Sequence, residues 1–487
     1  TLIRQATIAD RREALAAAEK TLRDILADPA QARWKEPAER LLGLVRAKLY
    51  PQERMAELSA ALSKPGLGKA IAQAMVDFTT LWDHENKGPV EQSDLADWIT
   101  AFQQGNTARA IEQWRRGESP AWLVAALASV KPGDPAAADL VEAGRKVGPE
   151  HPAYATVAYH GIALQIARGE RDPAREWADR ALAAKLPVSV QNAIRGQRMT
   201  LAHDWTDYLR HASRMPVAVT AVEVDERLED YSEAAPARPI FDRDFTEALN
   251  QHVPLALWVD GGASPLLPRE LQLRIAQAGW VRAALLGRTG EARALGRRVA
   301  ELDPELAEAM RDYAARQGAD DAKFTAVFWI LRTPGLGPEV RDGLGRLTET
   351  RKIDNYRDNW WRLPKPKDSK TATPPAPSAP IPPDVPEHPV DPPAFLAQDQ
   401  RTAGDKEWLE LRAAAHTAPN YLCAQTLVWA AAHPDDPRVP EALHLSVRAT
   451  RYSLPDAATS DYSRKAFQLL HARYPQTRWA QQTKYWY

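Results

Sequence analysis

The spacing of apolar positions predicts helix along most of the chain. Leu15, Ala18, Leu22 and Ile25 recur at intervals of three and four, which places them on one face of an amphipathic helix. A second helix is expected from about Trp34 through Leu41, Leu44, Val45 and Leu49, closed by Pro51, because proline removes a helical hydrogen bond and clashes with the preceding turn. Ser93 reads as the N-cap of a helix over 94–103. Helix pairs follow at 106–130, 135–168 and 173–203, separated by Gly-Asp-Pro and Gly-Pro-Glu-His-Pro turns. The period breaks at 213–245. There Val217, Val219, Val222 and Val224 are interleaved with and followed by Glu223, Asp225, Glu226, Glu229, Asp230 and Glu233, then by Pro236 and Pro239. So long an irregular stretch predicts an exposed, solvated insert, with a cation or basic-partner site as the other reading. Helices resume near Phe245 and run to about Leu347, ending at the aromatic cluster 355–362 (Asn-Tyr-Arg-Asp-Asn-Trp-Trp-Arg).

The 30 residues 364–393 contain 12 prolines, and a segment with so few backbone donors is expected to be an extended linker. The predicted division is therefore a helical-repeat superhelix over 1–363, a proline-rich linker over 364–395 and a smaller helical module over 396–487.

One helix register recurs. Ala292, Gly296 and Val299 precede Pro304, behind a Gly-Arg-Thr-Gly-Glu-Ala turn at 287–292. The same offsets return at Ser463, Phe467, Leu470 and Pro475, and more loosely at Ala136, Leu140, Ala143 and Gly148 and at Ala174, Ala178, Ala181 and Pro187. This resembles the second helix of a tetratricopeptide repeat, where small residues let two helices approach and proline stops the second. The first-helix Trp, Leu-Gly and Tyr positions of that family are mostly absent; the helix over 273–287 offers Gly279, Trp280 and Ala283. Residues 463–480, with Phe467, Tyr474, Pro475, Trp479 and Ala480, are similar to the repeats of bacterial envelope tetratricopeptide proteins such as the outer-membrane assembly lipoprotein and the Tol-Pal coordinator. The resemblance implies an all-α, extracytoplasmic (periplasmic) scaffold; a cytoplasmic location is the alternative.

Composition narrows the partners. Lys and Arg total 63 against 64 Asp and Glu, a formal charge of -1, so no global field draws nucleic acid or an anionic membrane. No apolar run reaches the ~18 residues needed to span a bilayer. A chain beginning at Thr1 is expected to have lost an N-terminal segment by processing or trimming, and membrane association is expected only through such an anchor or through a partner. Cys423 is the only cysteine, which excludes an internal disulfide and a thiolate metal cage; in its apolar helix it reads as a core residue.

Chemical motifs fail one by one. Gly66-Leu-Gly68-Lys69 has Ser63 where a phosphate-binding loop needs glycine and Ala70 where it needs Ser or Thr. Gly335-Leu-Gly337 and Gly343-Leu-Gly345 follow no βαβ pattern. His84-Glu85 lacks a second histidine four residues on, and Gly262-Ala-Ser264-Pro is no nucleophile elbow. No catalytic, cofactor or metal residue is expected. The one enzyme reading left is glycan cleavage or binding in a tryptophan-lined groove, with Asp83 and Glu85 near Trp82, or Asp260 near Trp258, as acids. Against it, Trp82, Trp98, Trp114, Trp122 and Trp177 occupy apolar helix positions and are expected to fill the core.

The partner-binding candidates lie in two aromatic clusters. Tyr356, Arg357, Trp360, Trp361 and Arg362 have the composition of a binding hot spot, with a cap over the end of the first superhelix as the favoured alternative. Tyr485, Trp486 and Tyr487 offer three aromatics to a partner, or fold back on the last helix. The expected function is non-catalytic protein–protein interaction.

Overall fold

The computed structural model describes residues 8–64, 67–84, 93–217, 220–222, 228–230, 238–343, 359–364 and 390–487. Among them the chain is all-α, 73% helix, and successive helices pack as adjacent pairs consistent with a helical array. Packing divides the chain into two compact units, 1–169 and 170–487.

In the first unit the sequence signals sit where the helices start and stop. Pro51 opens the helix Pro51–Leu62 at its first turn, where a missing N–H costs nothing. Ser93 caps Asp94–Gln103 by accepting from the Ala96 N–H at 3.2 Å, and Asn106 caps Thr107–Gly117 through the Arg109 N–H at 3.1 Å. The small core there joins Met55, Leu58, Phe78, Leu81 and Trp82, with Phe78 and Trp82 stacked at 5.7 Å. Trp122 is buried and its indole N–H donates to Asp94 at 3.0 Å, whereas Trp98 and Trp114 are only half-buried.

The second unit holds the larger core, one apolar cluster running from Met199 to Ala480. Its central pair is Arg269–Leu285 against Thr289–Leu302, turned by Gly287 at φ +70°, a conformation that favours glycine. Ala292 and Val299 are fully buried. Gly296 lies so close to Trp280 that a Cβ there would meet the indole Cδ1 at 3.3 Å, which is the physical use of a small residue in this register. Ala307–Ala315 and Ala319–Arg332 continue the array.

The insert expected at 213–245 contains two short antiparallel ladders. Ser213–Arg214 pairs with Ile240–Phe241, and Thr220–Val222 pairs with Leu228–Asp230. Phe241 is buried and stacks on Phe245 at 4.4 Å, so the insert is anchored where it rejoins the helices. Its residues 218–219, 223–227 and 231–237, and most of the proline-rich segment (365–389), lie outside the described residues.

Helices Gln398–Ala414, Ala418–Ala432 and Val439–Arg451 share the core of the helices before the proline-rich segment. Phe324 stacks on Trp429 at 4.9 Å and 11°. Arg438 reaches Asp321 at 2.8 Å and the Thr325 hydroxyl at 2.7 Å, and Arg332 meets Glu441 at 2.9 Å.

Candidate functional site

The helix Ala319–Arg332 is followed by a turn at Gly335, φ +98°, and the chain then bends at Pro338 and Glu339 without forming a helix or strand. Asn250 holds this run by its backbone: its amide donates to the Val340 carbonyl at 3.0 Å and accepts from the Val340 N–H at 2.9 Å. Val340 is thereby fixed inward, with Glu339 and Arg341 on either side of it. Residues 359–363 supply the facing wall, tied at one end by the Gly335 N–H donating to the Asn359 carbonyl at 3.0 Å. Further along, the Trp361 indole N–H donates to the Ala415 carbonyl at 2.9 Å. The Leu363 N–H donates to the His416 carbonyl at 2.8 Å, and the Ala418 N–H donates to the Trp361 carbonyl at 3.0 Å. This strand-like seam buries Trp361 and Leu363 and turns Arg362 outward, the alternation expected of extended backbone.

Between the two walls lies a pocket of about 210 Å³ lined by residues 337–339, Arg341, 360–362 and Leu454. Three of the sequence candidates, Trp360, Trp361 and Arg362, are thus brought together. The tryptophan rings are each only 5% exposed, so they wall the pocket rather than offer open faces; Arg362 is exposed. Tyr356 and Arg357 lie outside the described residues. Glu339, Arg341 and Leu454 were not among the candidates. Their only signal is the glycine- and proline-rich stretch 335–338, which marks a turn but not what it faces.

The electrostatics of this region are set by burial. Arg282 is fully buried, its guanidinium centre 5.1 Å from the Trp258 ring and 5.5 Å from that of Trp408. It donates to the Asn250 carbonyl at 2.7 Å, but Nε and Nη2 have no partner, and desolvation pushes its pKa down to about 10. Burial pushes the Glu339 carboxyl up to about 7, against the pull of Arg282, Arg341 and Arg412. Among the described residues Glu339 has no hydrogen-bond or ion-pair partner for its carboxyl.

A stability test follows. An unfolded glutamate titrates near ~4.3, so between there and about 7 the folded chain keeps a proton that the unfolded chain has lost. The folded pKa is raised, and stability therefore falls as pH rises across that window, by up to about 1.4 kcal/mol per unit, and levels off above it. Thermal melts at pH 5 and pH 8 should show Glu339→Gln losing less between the two than the wild type, and melting higher at pH 8.

A second buried charge cluster is matched by ion pairs. Arg198 grips Asp207 through both terminal nitrogens at 2.9 and 3.0 Å and Asp179 through Nε at 2.6 Å. Burial raises the Asp207 pKa, but the Arg198 and His203 hydrogen bonds outweigh it and hold it down at about 2. This network ties helix Val188–Thr200 to Trp205–Arg210. Among the described residues no three His, Cys, Asp or Glu side chains gather as for a metal ion, and no helix is long and apolar enough to cross a membrane. Cys423 is buried, and its thiol is pushed up to about 12 by desolvation.

The second candidate cluster lies at the chain's far end. Tyr485, Trp486 and Tyr487 are 70%, 47% and 40% exposed. They are nevertheless turned back along helix Thr459–Arg473: Trp486 lies 5.1 Å from Phe467, the Tyr487 N–H donates to Ser463 Oγ at 3.1 Å, and Arg451 sits 4.9 Å over the Tyr487 ring. The Trp486 and Tyr487 rings are thus engaged on one side, while Tyr485 is left largely to solvent. Neither a protein-family model, nor a curated protein, nor a solved structure matches the chain.

Proposed function

We propose that the chain is a non-catalytic protein–protein interaction scaffold built of tetratricopeptide-like helix pairs forming a superhelix, working in the bacterial envelope. The observation that carries this reading is where the large apolar side chains go. Trp82, Trp122, Trp177, Trp258 and Trp280 are all buried, so the rings a glycan groove would need are used in packing helices. Most of the large apolar side chains left exposed are aliphatic or methionine, and a group of them falls on the second and fourth helices: Leu41 and Leu44 on Lys35–Leu49, and Ile71, Met75 and Val76 on Ile71–His84. Exposed aliphatic and methionine side chains suit protein contact and offer nothing to a sugar. Of the acids of the glycan reading, Asp83 and Asp260 are exposed beside buried rings, and Glu85 lies outside the described residues.

The test is affinity purification of the tagged chain from its native cells, repeated with Leu41→Ser, Leu44→Ser and Met75→Ser together. A partner retained by the wild type and lost by the triple variant, with an unchanged melt, is the expected outcome. A partner set indifferent to the variant, or micromolar binding of oligosaccharides by the wild type, would sink the reading. Fractionation of the same cells tests the envelope assignment.

A further inference from the structure

We propose that residues 484–487 form an edge on which an acidic peptide segment of a partner protein pairs in extended form, its carboxylates taken by Arg451, Arg464 and Lys484. The inference uses residues other than Leu41, Leu44 and Met75 and does not depend on the scaffold reading.

Two helices build the edge. His444 Nδ1 meets Thr483 Oγ1 at 2.7 Å and Arg451 lies 4.9 Å over the Tyr487 ring, so a single stripe of Val439–Arg451 follows the segment from end to end. On Thr459–Arg473 the order is reversed: His471 Nε2 donates to the Thr483 carbonyl at 2.8 Å, Phe467 packs on Trp486 at 5.1 Å, and Ser463 Oγ accepts from the Tyr487 N–H at 3.1 Å. From 471 back to 463 a helix advances about 12 Å. The chain from Thr483 to Tyr487 covers that distance at about 3 Å per residue, close to the rise of a β-strand. The segment is therefore extended and pinned at both ends. Between the pins, the backbone N–H and C=O groups of Lys484, Tyr485 and Trp486 make no hydrogen bond to the described residues. Extended backbone left unpaired in this way is a template for another strand.

Charge chooses the strand. From 442 to 487 the sequence has seven Lys or Arg and two Asp. Arg451 and Lys484 are exposed and meet no carboxylate among the described residues. Arg464, also exposed, stands three residues before Phe467, a surface neighbour on the side that carries the segment. Of the two acids, Asp461 is shared by Arg464 at 2.7 Å and Lys465 at 2.6 Å, and Asp456 accepts from the Asn420 amide at 2.8 Å. Neither is bonded to the segment. Cations on both sides draw a strand that carries carboxylates and repel a basic one, and the arginine forks match carboxylate geometry.

The rings separate a peptide from the other polyanions. An interfacial belt needs Trp and Tyr rings projecting together into lipid headgroups, and bases need open ring faces on which to stack. Here Trp486 rests one side on Phe467 and Arg451 covers a face of Tyr487, so only Tyr485, 70% exposed, stands clear. A bilayer also offers no regular row of donors and acceptors to match the unpaired backbone. A peptide strand offers both that row and the charge.

The experiment is fluorescence anisotropy of a labelled, end-blocked peptide alternating glutamate with valine and threonine, titrated with the full chain. One control peptide carries glutamine for glutamate, one carries lysine, and one keeps the glutamates but is N-methylated at alternate backbone nitrogens. Phosphatidylglycerol vesicles and labelled oligothymidylate are tested alongside. The acidic peptide is expected to bind at least tenfold more tightly than the glutamine and N-methylated peptides, and to weaken at least threefold between ~50 and ~300 mM salt. Arg464→Glu with Lys484→Glu, both exposed, should leave the melt unchanged, weaken the acidic peptide at least tenfold and gain the lysine peptide. The proposal is overturned if the acidic peptide does not bind at about 1 mM, if the glutamine or N-methylated peptide matches it, if the double variant keeps its preference for the acidic peptide over the lysine one, or if vesicles or oligothymidylate bind where the peptide does not.

Discussion

Trp280→Ala is expected to destabilise the protein by roughly 3–5 kcal/mol, a large part of a domain's margin. The ring is completely buried between helices and meets Tyr313 edge-on at 5.7 Å. Gly296 is pressed against its Cδ1 edge, and Met310 Sδ lies 3.4 Å from where a Gly296 Cβ would be. Small residues on the partner helix make the space, and a cavity there cannot close without moving both helices. The indole N–H has no partner, so Trp280→Phe loses volume but no hydrogen bond and should cost far less, about 1–2 kcal/mol. The two positions should also couple: Gly296→Ala crowds the indole in the wild type and partly fills the void in the Trp280→Ala background, so the double variant should be more stable than the sum predicts. Urea melts of the four proteins decide it. A Trp280→Ala melt within about 0.5 kcal/mol of wild type would mean the ring faces solvent, as the glycan reading requires.

That burial was legible because it depends on local spacing. Ala292, Gly296 and Val299 announce a close helix contact within one pair, and their neighbour in sequence supplies the ring. Ser93 was legible as a cap for the same reason: a cap is decided within three residues. The insert was read as irregular because two ladders of two and three residues give too little alternation to register. Contacts between distant segments left no such trace. Nothing in 418–432 says that Trp429 will lie flat on Phe324, since each is a plausible core aromatic on its own helix. The pocket shows the same limit. Aromatics and arginine at 360–362 stood out by density, but Glu339 becomes a site residue only because Asn250 clamps Val340 and Gly335 bonds to Asn359, pairings that span up to 90 residues.

Gly404 supplies the sharpest test of that long-range packing. It lies inside the helix Gln398–Ala414, where replacing glycine by alanine ordinarily stabilises by about 1 kcal/mol. Here the helix crosses the end of Arg243–His252 so closely that an added Cβ would lie 2.5 Å from the His252 carbonyl carbon, nearer still to its oxygen, and 3.2 Å from the Pro254 nitrogen. Backbone atoms cannot rotate away as a side chain can. The crossing is also pinned around that point: His252 Nδ1 meets Asp405 at 2.7 Å, His252 Nε2 donates to the Val390 carbonyl at 2.8 Å, and the Leu255 N–H donates to Glu407 at 2.9 Å. Relieving the overlap means separating the helices, which exposes the cluster of Trp258, Trp408 and the already unsatisfied Arg282. Gly404→Ala should therefore reverse sign and cost about 3 kcal/mol, while Thr402→Ala, exposed on the same helix, should stay within about 0.5 kcal/mol. Thermal melts of the two variants separate the cases. If Gly404→Ala instead raises the melting temperature, the helices before and after the proline-rich segment do not share a core, and the pocket walled by both loses its Leu454 side and the seam that holds Trp361.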